Sequence, residues 1–96
     1  MNNADKLLIL KHDLQMLTNA NDEYLQNLLS LSADAIRGEG IRLLENDTQS
    51  DMVQIQYAAY LFRKRASTDT TMPRFLRLQL NNMKFSKKYG GSTSDV

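Results

Sequence analysis

The stretch Asp51-Met52-Val53-Gln54-Ile55-Gln56-Tyr57-Ala58-Ala59-Tyr60-Leu61-Phe62-Arg63-Lys64-Arg65-Ala66 decides the fold. Between Met52 and Phe62 only Gln54 and Gln56 are polar, so one helical face cannot hold the apolar remainder. Met52, Ile55, Ala59 and Phe62 make one stripe at helical spacing, while Val53, Tyr57, Tyr60 and Leu61 cover other sides. That is the pattern of a helix buried on several sides. Met52, Ile55, Tyr57, Tyr60, Leu61 and Phe62 are therefore the candidate core or subunit interface. The helix is central to a bundle or lies where copies of the chain meet. Polar residues 46–50 lead into it, and Thr48 with Asp51 matches a capping box.

Working outward, Leu7, Leu10, Leu14 and Leu17 at i, i+3, i+7 and i+10 predict a helix over about residues 5–17. Leu25, Leu28, Leu29, Ser32 and Ile36, widened by Tyr24, Leu31 and Ala35, predict a second. Asn21 or Asp22 can cap it, and Gly38 or Gly40 offers its left-handed stop. Residues 41–45 read as one extra helical turn. Downstream, 67–71 read as a polar loop, and Pro73 fits the first turn of a fourth helix reaching about residue 87. On that helix Leu76, Leu80 and Met83 form one stripe, with Phe75, Leu78 and Phe85 on another, more apolar surface than one small core needs. Residues 90–96 have no periodicity and read as a disordered tail. The expectation is all-α: a single helical domain over 1–89, with about four helices, one short extra turn and a flexible C-terminal tail.

Composition agrees. Among 96 residues there are fifteen Leu but only two Val and four Ile, which favours helix over strand because branching at Cβ restricts the side chain in a helix. With no cysteine there is neither a disulfide framework nor a thiolate metal site, and folding inside a cell is the simplest expectation. Residues 1–20 lack the pattern of a secretory signal, and no apolar run approaches the roughly 20 residues of a membrane span. The reading is of a chain without membrane or targeting segments.

Little in the sequence points to catalysis. His12 is the sole histidine, without a nucleophile and base partner at a recognisable spacing. Asp22, Glu23, Asp34 and Glu39 lack the dense oxygen-ligand spacing of a calcium loop and read as charged helix faces. No cofactor, metal site or enzyme activity is expected.

Charge is distributed unevenly. Residues 1–51 hold four basic and nine acidic side chains, a net −5, and residues 52–96 hold eight and two, a net +6. Arg74, Arg77, Asn81, Lys84 and Lys88 fall at i, i+3, i+7, i+10 and i+14. In one continuous helix they form a basic ridge without an acid, and Arg74, Arg77, Lys84 and Lys88 read either as a solvated face or as a contact for an acidic protein partner, the portal included, or for DNA phosphates. Arg63, Lys64 and Arg65 form a second basic cluster where the helix dipole favours cations. Phe75 and Phe85 read as core rather than as a stacking platform.

Two stretches carry a resemblance. Leu10-Lys11-His12-Asp13-Leu14 through Asp22-Glu23-Tyr24-Leu25 to Ala35-Ile36-Arg37-Gly38-Glu39-Gly40-Ile41 resembles the opening of the small phage head-tail connector proteins, also called head completion or adaptor proteins, which include the HK97-type and SPP1-type connectors. Tyr57-Ala58-Ala59-Tyr60-Leu61-Phe62-Arg63-Lys64-Arg65 and Met72-Pro73-Arg74-Phe75-Leu76 look like that family's apolar helix and the start of its last helix. The resemblance implies a homo-oligomeric ring, dodecameric to match the portal protein, seated below the portal and joined to a tail or stopper protein. DNA passes through such a ring, which makes non-specific contact with phage DNA an expectation. The implied location is the virion head-tail interface, with assembly in the host cytoplasm. The rival expectation is a small helical DNA-binding protein with a basic C-terminal helix. A third is an adaptor that binds one protein partner through the third helix.

Overall fold

A computed structural model describes residues 1–66 and 71–90. It contains four helices, α1 (Asn3–Asp13), α2 (Asp22–Gly38), α3 (Thr48–Arg65) and α4 (Arg74–Lys84), and no strand among the described residues. The all-α bundle is as expected, and α3 is its centre, touching each of the other three helices.

α1 begins where Asn2 Oδ1 accepts the Asp5 N–H at 2.8 Å. It stops four residues before the periodicity suggested. Gln15 turns into the left-handed region at φ 58°, and the Gln15 and Met16 N–H groups donate back to the His12 and Lys11 carbonyls. That pair of bonds is a Schellman closure, here made without glycine. Leu17 therefore leaves the stripe and is 97 % exposed.

α2 buries Leu25, Leu28, Leu29, Ser32, Ala33 and Ile36. Ser32 satisfies its hydroxyl by donating to the Leu28 carbonyl at 2.7 Å, so a polar residue sits in the stripe without an orphaned group. Asn21 precedes the helix but makes no side-chain cap. Leu31, expected to widen the buried stripe, is exposed instead. Gly40 supplies the left-handed stop at φ 90°, its N–H donating to the Arg37 carbonyl.

The turn of helix expected over residues 41–45 is not helical. Ile41 forms an isolated antiparallel bridge with Gly90, and the Arg42 N–H donates to the Tyr89 carbonyl at 2.6 Å. The backbone bonds of the C-terminal segment win over a local turn. A helix-like bond closes instead at the far end, from the Gly90 N–H to the Ser86 carbonyl. Gly90, assigned by sequence to the tail, thus belongs to the fold. A Cβ there would lie 2.5 Å from the Lys84 carbonyl oxygen and 2.6 Å from that of Ser86, so only glycine fits. Residues 91–96, and 67–70 of the expected polar loop, lie outside the described residues.

The apolar interior has two parts. Leu10, Leu25, Leu28, Leu29, Ile55, Ala58 and Ala59 form the first, between α1, α2 and α3. Ile36, Ile41, Val53, Leu76, Leu80, Met83 and Tyr89 form the second, between α3, α4, the end of α2 and the C-terminal segment. Of the residues singled out on α3, Ile55 is buried in the first part, and Met52, Leu61 and Phe62 lie half-buried against it. Tyr57 and Tyr60 lie half-buried against the second.

The buried side chains of Gln54 and Asp51 on α3 are matched. Gln54 donates to the Leu29 carbonyl at 2.9 Å and accepts from Lys6 Nζ at 2.8 Å, and Lys6 Nζ also lies 3.6 Å from Asp51. Nearby, Lys11 bridges Asn19 at 2.7 Å and Asp22 at 2.9 Å, which pins the α1–α2 connection.

Candidate functional site

α4 starts at Arg74, with Pro73 at the cap position where its missing N–H leaves no bond unmade, and its Leu76, Leu80 and Met83 are buried as expected. The helix ends at Lys84, three residues earlier than the sequence suggested, because the Phe85 and Ser86 N–H groups turn back to the Asn81 and Met83 carbonyls. Lys88 therefore does not continue the ridge.

Most of the basic side chains named from the sequence already have intramolecular partners. Arg77 grips Glu39 through both terminal guanidinium nitrogens, which holds the guanidinium above its ordinary range. Lys88 pairs with Asp47 at 3.2 Å and is raised by that contact. Arg63 pairs with Asp13 at 3.2 Å. Lys64 lies over the Tyr60 ring, and Arg65 lies 4.7 Å from the Tyr24 centroid and 5.0 Å from that of Phe62. Three of the eight basic side chains of the second half thus pair with acids of the first half within one chain. The acid-free ridge reduces to Arg74 and Lys84 on α4, continued by Lys87 just beyond it. None of the three makes an ion pair among the described residues, Lys84 lying 5.9 Å from the Phe85 ring centroid.

Beside these cations runs the second apolar stripe of α4. Phe75 is 59 % exposed, Leu78 52 % and Phe85 76 %. Both phenylalanines, expected in the core, face solvent, because Leu76, Leu80 and Met83 fill the space against α3 and α2. A cleft of about 270 Å³ extends the face toward the end of α3, with Gln56, Tyr60, Arg63, Lys64 and Phe75 in its walls. The Gln56 Oε1 atom there is buried and has no donor among the described residues.

A second cluster went unread in the sequence. Asp47, the true cap of α3, accepts from the Ser50 N–H at 2.9 Å, the Ser50 hydroxyl at 2.8 Å and the Tyr89 hydroxyl at 2.8 Å. The Tyr89 bond and the cap bond hold its carboxyl well below the usual carboxylate range. Burial, with the same bond, pushes the Tyr89 phenol up. Arg42 donates to the Lys87 and Lys88 carbonyls, closing the C-terminal segment onto the α2–α3 connection. The only local signal for this clasp is the pair Asp47 and Ser50 at cap spacing, since Tyr89 lies 42 residues away.

Among the described residues no three His, Asp or Glu side chains gather as metal ligands, and no helix is long and apolar enough to cross a membrane. Comparison with family models, with curated proteins and with solved structures found no match to this chain.

Proposed function

We propose that this chain is a structural, non-catalytic virion protein, a phage head-tail connector that assembles as a ring of identical subunits below the portal and carries the tail or stopper protein. The observation that carries the reading is the exposed Phe75, Leu78 and Phe85 stripe along α4 and its C-cap, flanked by Arg74, Lys84 and Lys87, which make no ion pair among the described residues. Large apolar side chains exposed along one side of a helix, with charged residues beside them, are a common mark of contacts with other proteins. The sequence resemblance supplies the kind of assembly. In it, the α4 face meets a neighbouring subunit or the portal, and the remaining cations contact DNA only non-specifically.

Electron microscopy of the purified protein, alone and mixed with portal, tests this. Rings, or added density below the portal, are expected, and both should disappear in Arg74→Glu/Lys84→Glu. Reversal of Arg77 is less informative because it breaks the intrachain pair with Glu39. Dispersed single subunits that ignore portal would overturn the proposal.

The same cations favour a second reading, a small DNA-binding protein. Against it, the connections 14–21 and 39–47 are far longer than the three- or four-residue turn of a helix-turn-helix, and the outward side of α4 carries the large apolar side chains Phe75 and Leu78 among its polar residues. A DNA titration at two salt concentrations separates them. Sequence-selective binding that survives the higher salt supports the regulator, and weak, steeply salt-sensitive binding supports the connector.

A further inference from the structure

The outward faces of α4 and α2 are built as opposites. On α4 and at its C-cap three exposed apolar side chains, Phe75, Leu78 and Phe85, run beside cations that make no ion pair among the described residues. On α2 the exposed apolar side chain is Leu31, at 56 %, with half-buried Tyr24 and Ala35 along the same edge. Glu23 and Asp34, both exposed, lie on that side at helical spacing from it. Glu23 makes no ion pair among the described residues, and Asp34 has only a solvent-exposed contact of 3.7 Å with Arg37. The middle of α2 packs in the first part of the interior and α4 in the second, so a single chain does not close these two faces on each other.

We propose that a second copy of this chain covers the α4 face, presenting the Glu23–Leu31–Asp34 side of α2. Apolar side chains meet at the centre of the contact, and Glu23 and Asp34 lie against Arg74, Lys84 and Lys87 at its rim. An α4–α4 contact would instead bring six cations together with no acid between them. The α2–α4 contact uses a different patch on each copy, so it repeats from subunit to subunit and closes into a ring when the rotation allows. This rests on the self-assembly part of the proposed function and adds which faces meet.

The cysteine-free chain makes the test direct. Leu31→Cys and Leu78→Cys sit at exposed positions and leave the interior intact. Mixed under mild oxidation, they are expected to give the mixed disulfide dimer well above the share that random pairing produces. Asp34→Arg with Glu23→Arg in the Leu31→Cys chain should suppress it, and Arg74→Glu with Lys84→Glu in the other chain should restore it. Dominant Leu78→Cys self-dimers, preferential pairing of Leu78→Cys with a Leu8→Cys chain on α1, or random pairing alone would each overturn the proposal. The mixed dimer formed by a protein that ignores portal leaves this contact standing without the phage reading. Rings on portal without the mixed dimer leave that reading standing without this contact.

Discussion

Asp47 ties three parts of the chain together: it caps α3, receives the Tyr89 hydroxyl and pairs with Lys88. Its carboxyl is held far below its ordinary value of 3.8. A carboxyl depressed in the folded state contributes stability that is complete above the unfolded value and is lost as the pH falls below it toward the folded value. The chain should therefore lose stability on acidification below about pH 4, and Asp47→Asn should flatten that acid limb in denaturant titrations across pH. An identical acid limb in the variant would mean other carboxyls carry it. Gln15 is the other telling residue. The left-handed stop that ends α1 usually calls for glycine, so nothing in Leu14-Gln15-Met16 announces it, and the leucine spacing continues through Leu17 as though the helix did.

At the scale of elements, α4 separates into a buried face and an outward one, and substitutions on the two should differ. Leu80→Ala removes a fully buried side chain and should lower stability by about 2–5 kcal/mol. Phe85→Ser, at a position 76 % exposed, should stay within about 0.5 kcal/mol. Chemical denaturation of both variants checks this, and a large loss for Phe85→Ser would place that ring in the interior. The four helices and the buried side of each were legible because hydrophobic periodicity is local. The multi-sided burial of α3 was legible for the same reason, from two glutamines in an otherwise apolar run. What the sequence misplaced depends on distant partners. Residues 41–45 are not helical because Gly90 and Tyr89 supply backbone contacts to Ile41 and Arg42 from the other end of the chain. Phe75 and Phe85 look like core in a composition count, but Leu76, Leu80 and Met83 already occupy the interior. The basic ridge was half legible: its helical spacing is real up to Lys84, but the acids that neutralise Arg77 and Lys88 lie about forty residues upstream.

Across the whole molecule, part of the opposite charge of the two halves is spent within the chain, through Asp13 with Arg63, Glu39 with Arg77 and Asp47 with Lys88. What remains for other molecules is narrower and better defined: an apolar strip on α4 beside three cations, and a smaller apolar and acidic strip on α2. Sedimentation of the wild-type chain over a wide concentration range, beside Phe75→Ser/Leu78→Ser/Phe85→Ser, is the most direct test that the α4 strip is an assembly surface. Wild-type mass is expected to rise above the 11.0 kDa subunit with concentration, and the variant to keep its helix content while remaining a single subunit. A wild-type chain that stays at one subunit throughout, or a variant that associates as strongly as the wild type, would contradict it.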